Sequence, residues 1–173
     1  MTRTLAELRR DVIAPALALL PKNMTSPAAE VLLLAIHLQE DPRQLQKQVG
    51  GPAHGLFQFE RGGGVRGVLE HRASRPHALS VCAALGIAPA AEAVYQALRA
   101  GDDRLDAAFA RLLLWTEAPP LPAVGDVEGG FRYYLSAWRP GAWARGSAAQ
   151  RAELRRKWGL GYARAMDAVR EVT

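Results

Sequence analysis

The stretch that most constrains this chain is Val31-Leu32-Leu33-Leu34-Ala35-Ile36-His37-Leu38-Gln39-Glu40. Ser26-Pro27 before it is a helix start, because a serine side chain caps free amides and a proline at the first helical position gives up no hydrogen bond. Pro42 ends it near Asp41, since a proline drives the preceding residue out of the α region. Residues 27–40 are therefore predicted to be helical. Apolar side chains run nearly all the way round that helix, as in a central, buried one. Its last residue is a carboxylate. Burial and the negative end of the helix dipole both disfavour the ionised form, so Glu40 is expected to hold its proton near neutral pH, as a general acid must.

The rest of the chain is read as helical with one interruption. Leu5, Leu8, Val12 and Ile13 recur at helical spacing, and Pro15 kinks or divides that first region. Gly50 to Gly67 is glycine-rich, loosest at Gly62-Gly63-Gly64. Ala90 to Arg99 and Leu105 to Trp115 are predicted helices, the second capped by Asp102 or Asp103. Asp126 caps a helix bearing Phe131, Tyr134, Leu135 and Trp138, and Ser147 with Gln150 makes a capping box for the last helical region, which Gly159 and Gly161 are expected to interrupt. With 49% apolar and 23% charged residues, all 173 residues (1–173) are read as one mainly α domain with a small Gly-rich hairpin or loop insert.

Two short blocks, Gln39-Glu40-Asp41 and Gly55-Leu56-Phe57-Gln58-Phe59-Glu60, carry a resemblance. They resemble the catalytic segments of lytic transglycosylases and goose-type lysozymes, where a buried helix ends in the catalytic Glu and a Gly-Leu-Met-Gln block follows. The chain is similar to the lysozyme-like superfamily, in a phage or prophage branch, over Ser26 to Gly64. The resemblance implies an α+β lysozyme-like fold whose Gly-rich insert borders a cleft. It implies cleavage of peptidoglycan glycan strands between N-acetylmuramic acid and N-acetylglucosamine, without a cofactor. Glu40 takes the position of the acid and Glu60 that of the goose-type second acid, while Gly55, Phe57 and Gln58 would line the substrate groove.

Two departures from the family pattern bear on the chemistry. Asp41 stands where the family has Ser, a second negative charge that would couple to Glu40 if it faced the cleft. No Tyr-Asn-Ala-Gly segment is present, and Tyr133-Tyr134, with Tyr134 as the sugar-site candidate, replaces it only by position and aromaticity.

Other chemistries find less support. The net charge of +5 favours anionic partners without choosing among them, and arginine- and alanine-rich composition also follows from genome bias. The glycine-rich middle lacks the Lys-Ser/Thr of a phosphate-cradling loop. His37, His54, His71 and His77 make no zinc pattern, so no metal is expected; His37, one turn before Glu40, is within reach of it but reads first as a satisfied core residue. Cys82 is alone and reads as a buried small side chain. Most aromatics of the C-terminal third read as core. No run approaches the roughly 20 apolar residues of a membrane span. The N-terminus reads as mature protein, cytoplasmic at synthesis and reaching the wall by a phage holin or within a virion. Arg151, Arg155, Arg156 and Lys157 read as a solvated face, so nucleic acid is not the expected partner. Two rival readings stand beside the enzyme: a lysozyme-fold virion or wall-binding protein without catalysis, and a basic helical nucleic-acid-binding protein.

Overall fold

The computed structural model describes residues 2–170, and the chain is mainly α-helical. The first helical region is α1 (Leu5–Leu8), a π-helical turn over Arg9–Ile13, and α2 (Ala14–Leu17). The division expected at Pro15 takes the form of that wide turn. The Ala14 N–H reaches back to the Arg9 carbonyl, and the chain continues helically past a proline that has no N–H to offer.

Helix α3 (Pro27–Glu40) is the centre of the molecule. The Ser26 hydroxyl accepts from the Ala29 N–H at 3.1 Å, Pro27 occupies the first turn, and every side chain from Val31 to Gln39 is buried. The surrounding helices are α4 (Arg66–Glu70), α5 (Arg75–Leu85), α6 (Ala91–Arg99), α7 (Asp103–Trp115), α8 (Val127–Trp138), α9 (Gly141–Ala144) and α10 (Ala148–Arg170). The expected caps are in place: Asp102 accepts from Leu105 N–H and Asp126 from Gly129 N–H, while Ser147 and Gln150 bond reciprocally. One hydrophobic cluster runs from Leu8 through α3 and α7 to Val169, with Cys82 inside it.

The last helix corrects an expectation. Helix α10 runs unbroken from Ala148 to Arg170, through Gly159 and Gly161. Gly161 is buried against α3, where a Cβ would come within 3.3 Å of the Leu38 side chain and 3.9 Å of the Ala35 carbonyl. A glycine in a helix interior costs roughly 1 kcal/mol of propensity. Here the missing side chain lets α10 lie close on α3, and packing outweighs propensity.

Residues 42–60 form turns joined by two isolated antiparallel bridges, Lys47 with His54 and His54 with Phe59. A π-helical turn over Arg61–Val65, bent at Gly63, leads from them into α4. Among the described residues, no helix is long and apolar enough to cross a membrane.

Candidate active site

Glu40 is the last residue of α3 and remains partly exposed, while the side chains before it are buried. The Tyr134 hydroxyl on α8 donates to Glu40 Oε1 at 2.6 Å. Burial pushes the Glu40 carboxyl up to about 7, against the Tyr134 hydrogen bond and the positive charge of Lys157, which both pull it down. Its other oxygen takes no hydrogen bond from any described residue. Tyr134 is itself held at the face of Trp158, with ring centroids 5.2 Å apart, and its own ionisation is suppressed by burial and by the carboxylate beside it.

Asp41 and His37 do not face this carboxyl. Asp41 is only 5% exposed, and its two oxygens accept from the Leu45 and Gln46 amides at 2.9 and 2.8 Å. After Pro42 the chain folds back over the end of α3, so Asp41 closes a turn in place of coupling to Glu40 or meeting a ligand. His37 Nδ1 pairs with the Leu56 carbonyl at 3.3 Å, and burial lowers the imidazole's affinity for a second proton. His37 is thus a satisfied core residue that ties α3 to the second block, with no bond to Glu40.

That block, residues 55–60, is a turn fastened from three sides. Asp106 of α7 accepts from the Leu56 N–H at 2.5 Å and the Phe57 N–H at 3.3 Å. The Trp138 indole of α8 donates to the Phe57 carbonyl at 3.0 Å. Gly55 has φ +86°, and a Cβ there would overlap the Asp106 carboxylate, so both backbone conformation and space require glycine. Phe57 is 1% exposed and packs edge-on to His37. Gly55 and Phe57 therefore lie beneath the surface as support for the turn, and the expectation that they line a groove is corrected accordingly. The apolar ring enters the core, and the glycine's space is filled by Asp106.

Gln58 and Glu60 do line a common groove of about 630 Å³, together with the backbone of Gly62, Gly63 and Gly64 and the side chains of Glu117, Trp138 and Arg139. Gln58 has φ +54°, a conformation unfavourable for a side chain with a Cβ, and its amide folds back to donate to the Gly55 carbonyl at 2.8 Å. Glu60 is exposed and makes no ion pair with Arg61, which pairs instead with Glu92 of α6 at 2.5 Å. Glu40 is not among the residues lining this groove. The two are neighbours through aromatic rings: Tyr134, bonded to Glu40, stacks on Trp138, and Trp138 forms part of the groove wall.

The structure thus joins Glu40 to Tyr134 and Gln58 to Glu60, in two adjoining sets. Asp106 and Trp138 were not singled out as site residues from sequence. Asp106 carried no clear signal, since with Asp103 it is one of two acids in the first turn of α7, where the helix dipole favours such residues. Trp138 carried none beyond its size. Among the described residues, no group of three or more His, Cys, Asp and Glu side chains is placed to hold a metal ion. Comparison with family models, curated proteins and solved structures finds no match to this chain.

Proposed function

We propose that the protein cleaves the glycan strand of peptidoglycan between N-acetylmuramic acid and N-acetylglucosamine, with Glu40 as the general acid. The observation that carries this reading is the state of Glu40: a carboxyl at the end of a buried helix, raised to about 7, with one oxygen on Tyr134 and the other open. Such a group is protonated at mildly acidic pH and able to give its proton to a glycosidic oxygen. The resemblance of Gln39–Asp41 and Gly55–Glu60 to the transglycosylase and goose-type segments supplies the substrate class. A groove holding amide, carboxylate and indole groups suits a sugar chain, since an indole beside hydrogen-bonding partners matches the mixed apolar and polar surface of a sugar.

After the first proton transfer, Glu40 is a carboxylate. In a lytic transglycosylase it would then accept the proton of the sugar's own C6 hydroxyl as that oxygen attacks C1, closing a 1,6-anhydro ring. In a hydrolase a second carboxylate would activate water, and Glu60, exposed and without an ion pair, is the available group. Digestion of purified walls followed by mass spectrometry of the released muropeptides tests the proposal. Anhydro or reducing-end products that vanish in Glu40→Gln are expected. Intact walls after incubation with folded wild-type protein would overturn it.

One observation favours a second reading, a wall-binding protein without catalysis: Glu40 stands outside the lining of the groove. That protein would sediment with walls and release nothing from them.

A further inference from the structure

Helix α10 carries a run of cations whose members are used differently. Arg155 pairs with Glu128, and Arg156 pairs with Glu153 at 2.7 Å. Lys157 pairs with no carboxylate among the described residues. Its ammonium turns inward and donates to the Gln39 carbonyl at 2.5 Å. That carbonyl belongs to the last turn of α3, where the helix has no amides left to satisfy it. The contact is reciprocated, because the Gln39 side-chain amide donates to the Leu154 carbonyl of α10 at 3.2 Å. The end of the helix that carries Glu40 is therefore clamped to α10 at two points, just beyond the close approach that Gly161 permits.

We propose that Lys157 is a positioning residue for Glu40, fixing the last turn of its helix and supplying the cation that faces its carboxyl. This rests on the reading of Glu40 as the acid. The other charged and titratable groups nearby are turned elsewhere. Asp41 is bound to the Leu45 and Gln46 amides, His37 to the Leu56 carbonyl, and Asp106 of α7 to the Leu56 and Phe57 amides. Glu153, one turn before Lys157 on α10, is held by Arg156. Glu40 is bonded by Tyr134 from α8, and the Lys157 charge from α10, held one residue away on the Gln39 carbonyl, acts on it through space. Burial drives the carboxyl upward, and these two groups hold it near neutrality. The influence is mutual: burial lowers the Lys157 ammonium's pKa and the Glu40 carboxylate raises it.

The test is a carboxyl-carbon NMR titration of the full chain, with the Glu40 signal assigned by its loss in Glu40→Gln. A Glu40 midpoint near 7 is expected in the wild type. Lys157→Met should move it upward by roughly half a unit to one unit, while Lys157→Arg, which keeps the charge and a donor, should restore it. The alkaline limb of wall lysis should shift in the same direction. An unchanged Glu40 midpoint in folded Lys157→Met would overturn the proposal. If that variant does not fold, the reciprocal measurement decides: the Lys157 midpoint should fall in Glu40→Gln, and its staying put overturns the proposal equally. Neither titration needs turnover. Coupled midpoints in a protein that leaves walls intact would uphold the Lys157–Glu40 link while removing the glycosidase reading.

Discussion

Glu40 and Asp106 are both carboxyl groups that burial pushes above the usual carboxylate range, yet their surroundings put them to different uses. Asp106 is 1% exposed, sits within α7, and accepts two backbone amides of the 55–60 turn on one oxygen, while its other oxygen is buried without a partner. Glu40 sits at a helix end, partly exposed, with one oxygen held by a phenol and the other unbonded. A buried acid whose partners are fixed amides acts as a fastening. One that reaches the surface with a neutral-range midpoint is able to exchange a proton. A raised midpoint and an unbonded oxygen are common to both; exposure separates them.

The largest expected effect is on Glu40. Glu40→Gln should reduce wall lysis by roughly 10²–10⁴, the range for loss of a general acid, with the fold retained. A folded variant that still lyses walls at the wild-type rate would break the contrast between the two acids. Asp106→Ala should do the opposite, lowering stability by about 2–4 kcal/mol because two buried amides lose their acceptor. Asp106→Asn, which keeps one acceptor oxygen, should cost less, and urea unfolding of the pair measures the difference.

Gly55→Ala tests the same fastening from the other side. The positive φ and the overlap with Asp106 should together cost about 1–3 kcal/mol in the same unfolding assay. An unperturbed variant would mean that the turn does not depend on that close approach.

A smaller effect follows from linkage. Glu40 binds its proton more tightly in the folded chain than in the unfolded one, so its contribution to stability is fully present below about 4.5 and is lost as pH rises through about 7. Glu40→Gln should flatten that decline, visible in melting temperatures measured across the window. Lysis should fall over the same upper range, as the acid loses its proton. The smallest effect is expected at Glu60: Glu60→Gln should leave the rate nearly unchanged and the products should carry the 1,6-anhydro ring, read as a missing water by mass. A large rate loss with reducing-end products would instead make Glu60 the base of a hydrolase.

Much of the helical framework was legible because its signals are local. Ser26-Pro27, Asp102, Asp126 and the Ser147–Gln150 pair each cap within three residues, so their hydrogen bonds follow from neighbours in the chain. The central place of α3 followed from its all-round apolarity. Where neighbours alone were used to assign tertiary partners, the assignments moved. His37 is one turn from Glu40 yet turns to Leu56; Asp41 adjoins Glu40 yet closes its own turn. Gly159 and Gly161 read as helix breakers by propensity, yet α10 runs through both, with Gly161 packed against Leu38.

By itself, then, the amino-acid order determined that a buried helix would end in a carboxylate and that a tight glycine turn would follow, because propensity, capping and burial act over a few residues. Which groups surround that carboxylate was decided only in three dimensions. Tyr134 and Lys157 lie 94 and about 117 residues along the chain from Glu40, brought there by the packing of α8 and α10 against α3. An acid's working pH is set by desolvation and by charges a few ångströms away, and no sequence spacing of that length specifies either.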